Sequence, residues 1–195
     1  EAEARHQWHG HPGKVKLLVY SNHGGMGSYR DAMALAQQNA TTPDVSQVRH
    51  MASSSGLALN LEQELATDLG VFARLSAHNG NKETYEFTDV NKSLALGLSM
   101  RGTRWGRPDD TVGVATVVNA LSDDARAYFA AGGLGVLIGD GQLNYAPEKI
   151  VELYYALHPM AHVTLTLDYQ HISNPAYNQD RGPVSLYGVR VHAEF

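Results

Sequence analysis

The sequence predicts an all-β chain, an antiparallel transmembrane β-barrel with about eight strands here and short helices in its long outer loops. Three observations predict it. Apolar residues recur at every second position in segment after segment. The connections between those segments alternate short and long. The polar positions hold many small residues where a water-facing sheet would carry Lys and Glu.

Lys14 to Asn22 is the first strand and the least regular. In Ser55 to Leu65, Leu57, Leu59 and Leu61 hold one parity and Gly56, Ala58, Asn60, Glu62 and Glu64 the other, one greasy face and one polar or small. The next segment sets Val71, Ala73, Leu75 and Ala77 against Phe72, Arg74, Ser76 and His78, and the short Ala66 to Gly70 link makes the two a hairpin. Ser93 to Arg101 opposes Leu94, Leu96, Leu98 and Met100 to Ser93, Ala95, Gly97 and Ser99. Thr111 to Asn119 is a weaker case, because Thr116 and Val117 break the alternation. Glu148 to His158 sets Val151, Leu153, Tyr155 and Leu157 against Glu148, Glu152, Tyr154 and His158. The cleanest is His162 to Gln170, with Val163, Leu165, Leu167 and Tyr169 against Thr164, Thr166, Asp168 and Gln170. The last strand opposes Tyr187, Val189, Val191, Ala193 and Phe195 to Gly188, Arg190, His192 and Glu194.

Links at Ala66 to Gly70, Gly102 to Asp110 and Pro159 to Ala161 are short, whereas those at His23 to Ser54, Asn79 to Asn91, Ala120 to Pro147 and Ser173 to Pro183 are long. Barrels of the outer membrane show this contrast between periplasmic turns and outer loops. With eight strands, a last strand ending in the periplasm requires a first that begins there. Two long loops carry helix signals: Ser28 to Asn39 is capped and Ala-rich, and Ser122-Asp123-Asp124 opens a second segment before Ala125 to Ala131. Gly132 to Gly141 follows. It lacks the Lys-Ser/Thr pair and strand-to-helix setting of a phosphate cradle, which leaves a turn-rich strand or constriction loop.

Composition narrows the alternatives. The chain has 195 residues, no cysteine, 18% charged residues and a formal charge of -5. Disulfide frameworks, thiolate metal sites and cysteine nucleophiles are excluded. Scattered Lys and Arg in an acidic chain give no footprint for nucleic acid. Stretches free of charge, such as Ala32 to Pro43, are far shorter than the roughly 20 apolar residues of a spanning helix. With no initiator Met and no apolar leader segment, the expectation is a processed form or a part of something longer.

Alternation also suits a soluble sandwich, whose polar face is the outside. Small residues on the polar parity favour the inverted arrangement, and so do aromatics near strand ends, among them Tyr20, Phe72, Tyr85, Phe87, Tyr155, Tyr169, Tyr187 and Phe195, which read as interfacial girdles. Phe195 closes a strand with apolar residues at every second position. Five runs then become specific: Gly13-Lys-Val-Lys-Leu-Leu18, Asn60 to Arg74, Arg104 to Gly113, Ala131 to Tyr145, and Leu165 to Gln170 with Asn174 to Asn178. Together they resemble the C-terminal half of the carbohydrate-selective porins of the OprB type, over essentially the whole chain. The resemblance implies that residues 1–195 are the C-terminal part of a porin barrel, half of a sixteen-stranded one. It also implies a Gram-negative outer membrane, facilitated diffusion of mono- and oligosaccharides, and recognition of the strand ending at Phe195 by the barrel assembly machinery. A homotrimer is a further possibility of the resemblance.

A pore has no catalytic group and selects through lumen width, charge and hydrogen bonding. The lumen-facing parity nominates Glu62, Glu64, Arg74, Arg101, Glu152, Tyr154, Asp168, Gln170 and Arg190 as sugar-contacting wall residues, with His78, His192 and Glu194 on the same parity. Carboxylates and guanidinium groups match paired sugar hydroxyls; Tyr154 offers a stacking face; the competing role is to pair across strands and solvate the wall. Arg74 and Arg190 are outnumbered by carboxylates, which favours neutral sugars or cations over anions. No cofactor is expected. His6, His9 and His11 lie close together, but in a turn or linker rather than a metal site. The alternative functions are an eight-stranded outer-membrane enzyme, for which His78 with Ser76 or His192 with Ser185 are the only loose pairs, and a structural barrel module of an envelope assembly.

Overall fold

The computed structural model describes residues 1–84 and 89–194. Nine strands form one antiparallel meander in which each strand pairs with the next. They are β1 (Ala2–Trp8), β2 (His11–Met26), β3 (His50–Ala66), β4 (Leu69–His78), β5 (Lys92–Gly102), β6 (Arg107–Ala120), β7 (Glu148–Met160), β8 (Val163–Ser173) and β9 (Val184–Ala193). Helix α1 (Tyr29–Asn39) lies between β2 and β3, and α2 (Asp123–Ala130) between β6 and β7. Among the described residues β1 and β9 are not paired, so the sheet is open at both edges. No described helix is long and apolar enough to cross a membrane.

The strand count differs from the eight expected by β1, which pairs with β2 from Ala2↔Leu17 to Trp8↔His11 around His9 and Gly10. Both turn residues have positive φ, 50° and 83°, the two-residue geometry whose twist matches a hairpin. Its alternation was hidden because Ala2, Ala4, His6 and Trp8 make a faint apolar parity against Glu3, Arg5 and Gln7. The extra strand adds to the topology: β1 runs toward the short-turn end in the same direction as β9, and β2, which contains the first strand expected, starts at that end. Of the three histidines expected in a turn or linker, His9 lies in the hairpin turn, while His6 and His11 lie on the strands that flank it. Strands flanking the first long loop run further than expected, to Met26 and from His50. Gly132 to Gly141 holds no strand; it is a loop with Gly132, Gly139 and Gly141 at positive φ.

The sheet is inverted relative to a water-soluble one. Along β3, Leu57, Leu59, Leu61 and Leu65 are exposed and the residues between them half-buried. Register carries that parity across the sheet: Leu61 faces Ala73, which faces Leu96, then Thr116 and Val151. Apolar side chains exposed at every second position, strand after strand, form a surface suited to acyl chains.

The hydrophobic core lies outside the sheet, in the long loops. Tyr29 and Ala32 of α1, Val45, Leu121, Ala125, Tyr128 and Phe129 of α2, Ile138, Leu143 and Tyr177 pack into one buried cluster. Each helix starts where the sequence placed a Ser: Ser28 Oγ accepts from Asp31 N–H at 3.3 Å and Ser122 Oγ from Ala125 N–H at 3.1 Å. Burial pushes the Tyr29, Tyr128 and Tyr177 hydroxyls above the ordinary phenol value. The described residues of the β2–β3, β6–β7 and β8–β9 connections thus form a folded cap at one end of the sheet.

Candidate functional site: the polar wall

Pairing register brings the predicted site residues onto one face. Glu62 stands opposite Phe72, Glu64 opposite Gly70, Arg74 opposite Asn60 and Ala95, and Arg101 opposite Thr111. Further along, Glu152 faces Gln170, Tyr154 faces Asp168, and Arg190 faces Thr166. A groove of about 950 Å³ opens on this face over β1 to β5, bordered by Arg5, Lys14, Glu62, Phe72 and Arg74.

The wall falls into two chemically different parts. Over β1 to β4 cations sit against carboxylates: Lys14 Nζ lies 2.8 Å from Glu62, and Glu3 is shared by Arg5 at 2.6 Å and Lys16 Nζ at 3.0 Å, with Glu1 3.4 Å from the same ammonium. Arg74 lies over the Phe72 ring, 4.9 Å from its centre. Over β7 and β8 the carboxylates have no cation partner among the described residues. There Gln170 Nε2 donates to Glu152 at 3.3 Å and to Asp168 at 3.2 Å, while Asp168 Oδ1 is buried with no hydrogen-bond partner among the described residues.

Aromatic rings lie against this wall where the neighbouring strand offers glycine. A Cβ on Gly113 would collide with the Tyr154 ring, one on Gly97 with the Phe72 ring, and one on Gly56 with the Tyr20 hydroxyl. Such rings recover the packing that glycine lacks in a strand. Tyr20 and Phe72 are therefore wall residues, not the girdle residues their positions near strand ends implied. Tyr155, Tyr169 and Tyr187 do lie on the outward parity, with Trp105 Nε1 donating to Tyr155 Oη at 2.9 Å and the Tyr169 and Tyr187 rings 5.1 Å apart. Tyr85, Phe87 and Phe195 lie outside the described residues.

Sequence reasoning missed Glu3, Arg5, Lys14 and Lys16, four charges of the wall, because β1 was unrecognised and β2 looked irregular. The readable signal was the charge at every second position in Glu3, Arg5, Lys14 and Lys16.

The histidines offered for catalysis have other partners. Gly80 N–H donates to His78 Nδ1 at 3.1 Å, so Nε2 carries the proton and faces the Val90 carbonyl at 3.1 Å. Buried Asn91 lies against the same ring and accepts from Ser122 N–H at 2.7 Å. His78 thus ties β4 to the start of α2. Ser185 contacts Tyr169 and His171, each at 3.2 Å, while His192 faces Glu194 at 3.3 Å. At the N-terminus, His6 pairs with Gln63 at 2.8 Å and His11 faces Glu64 at 3.6 Å, on different partners.

At the short-turn end, buried Asp110 holds Arg107, accepts from Tyr155 Oη at 2.7 Å and from His158 N–H at 2.9 Å. That carboxylate joins the β5–β6 turn to β7, satisfying itself among groups that face outward.

An apolar parity turned outward, a charged and aromatic parity lining a groove, and loops folded over one end define a β-barrel wall of the porin class. The sequence matches the family described as "Carbohydrate-selective porin, OprB family" over residues 1–195, and the chain belongs to that family. Porin AaxA of Chlamydia abortus is 25% identical over 139 residues, which is 71% of this chain and 27% of that protein. A high-pH structure of Pseudomonas putida OprB superimposes with a TM-score of 0.80 at 18% identity, covering 99% of this chain and 47% of the other. The chain thus spans about half the length of that solved relative, whose barrel fold it shares.

Proposed function

We propose that this chain is the C-terminal part of a porin barrel in a Gram-negative outer membrane, passing mono- and oligosaccharides by facilitated diffusion. The observation that carries the reading is the wall over β6 to β8, where Tyr154 lies across Gly113 beside the Asp168 and Glu152 carboxylates, which have no cation partner among the described residues. A flat ring presents a face to a pyranose, and carboxylates accept from adjacent hydroxyls. Paired charges over β1 to β4 leave no ladder of free cations there, which supports neutral substrates over anionic ones. In this reading Glu62, Glu64, Arg74, Arg101, Glu152, Tyr154, Asp168, Gln170 and Arg190 contact the permeating sugar. The family and the fold point to a channel rather than an enzyme. The last strand serves as the assembly machinery's recognition element, and three copies associate.

Liposome swelling with the complete protein tests the reading. Mono- and disaccharides should enter faster than amino acids of similar size, and Tyr154→Ala should slow disaccharides more than monosaccharides. Equal rates for sugars and amino acids would sink the carbohydrate claim.

A further inference from the structure

We propose that the outward face also binds phosphate groups of membrane lipid headgroups, at the long-loop end of β5 to β9, through Lys92, Lys149 and His171. The outward parity of β5 reads Lys92, Leu94, Leu96, Leu98, Met100, and that of β7 reads Lys149, Val151, Leu153, Tyr155, Leu157. On β8 the same parity passes from Leu165, Leu167 and Tyr169 to His171, and on β9 it starts at Ser185. On these four strands, cationic and hydroxyl groups enter the apolar rows at the long-loop end.

Both lysines are exposed, and neither has an ion-pair or side-chain hydrogen-bond partner among the described residues. Lys92 stands opposite Ala120 and Lys149 opposite Val118. Two strands and two residues therefore separate them, roughly 12 Å at ordinary sheet spacings, which two flexible side chains can close onto one headgroup. His171 lies opposite Val151, diagonal to Lys149 at about 7–8 Å, and shares the Ser185 hydroxyl with Tyr169. The described outward positions at this end of β5 to β9 carry no carboxylate to neutralise the group. At the opposite end the outward carboxylate, Asp110, is already held by Arg107.

An ammonium at the edge of an apolar belt extends toward the headgroups, where phosphate oxygens accept charge-assisted hydrogen bonds. The occupant that fits is a phosphorylated lipid of the leaflet beside the long loops. The inference rests on the barrel spanning a membrane and not on what passes through it.

Native mass spectrometry of the complete protein in detergent, titrated with diphosphorylated lipid A and separately with phosphatidylcholine, tests it. Wild type should retain lipid A in preference to phosphatidylcholine, and Lys92→Gln and Lys149→Gln should each cut lipid A retention roughly fivefold. Phosphatidylcholine retention, the β-sheet circular dichroism and sugar swelling rates should stay unchanged. Equal lipid A retention by the double variant and wild type overturns the proposal, as does equal retention of the two lipids by wild type. A failed sugar assay with retained lipid preference would instead remove only the carbohydrate reading.

Discussion

The sheet and the cap use the same side-chain types in opposite ways. In the sheet, Leu57, Leu96 and Leu153 stand 49%, 43% and 49% exposed, because their partner is acyl chain. In the cap, Tyr128 and Phe129 are 1% and 0% exposed and belong to one cluster with described residues of the β2–β3, β6–β7 and β8–β9 loops. The β4–β5 loop is tied in as well, since Tyr177 Oη donates to the Asp89 carbonyl at 2.8 Å. The sheet is thus held mainly by its ladder of backbone hydrogen bonds and by the surrounding lipid. The cap is a small water-soluble core resting on it. A hydrophobic content of 43% means two different things within one chain.

The largest expected effect separates the two directly. Phe129→Ala removes a fully buried ring with little room to collapse, a loss of about 3–5 kcal/mol. Limited proteolysis of the complete protein in detergent should then cut within 27–49 and 121–147, while the β-sheet circular dichroism and its melting stay near wild type. A sheet that melts together with the cap would show that the two are one cooperative unit.

A smaller effect is expected from the sheet side, and it depends on chemistry more than on volume. Leu96→Arg places a charge near the middle of the outward apolar row and should cost about 2–4 kcal/mol in a folding titration into bilayers. Leu96→Ala leaves no cavity, because lipid fills the space, and should cost well below a core Leu→Ala. If Leu96→Ala matched a core truncation, the outward face would be packed on protein.

How much of this was legible follows the same division. Parity within a strand is a local property, so the outward faces of β3, β5 and β8 and the wall positions Glu62, Arg74 and Glu152 could be read from single segments. The Ser28 and Ser122 caps are local too, and both helices appeared where they were expected. Register is not local. The rings of Tyr20, Phe72 and Tyr154 find their places only because Gly56, Gly97 and Gly113 stand beside them on the next strand, which no single segment shows. The cap core is less local still, since it joins Tyr29 to Tyr177 across most of the chain. β1 escaped notice because alanines carry half of its apolar parity.

The smallest expected effect sharpens the comparison by pH, since two carboxyls of the cap are shifted in opposite directions from their ordinary value. The Arg181 guanidinium and the Asn178 amide beside Asp140 hold its carboxyl below the ordinary value, tying the glycine-rich loop to the β8–β9 loop. Its folded value lies below its unfolded one, so its contribution is complete above about pH 4 and is lost as pH falls through the folded value. Asp89 is the reverse: burial pushes its carboxyl up, the Thr84 hydroxyl at 3.1 Å opposes the shift only in part, and Glu83 adds repulsion. Between the unfolded value near pH 4 and its own raised value the folded cap binds the extra proton, so rising pH weakens the cap through that window. Asp140→Asn should therefore flatten the acid limb of cap proteolysis below pH 4. Asp89→Asn should make the cap more resistant at neutral pH and leave that limb in place. The β-sheet circular dichroism should respond to neither, because both carboxylates belong to the loops; a shift of the sheet's melting with either variant would tie the lipid-supported ladder to the cap's own core.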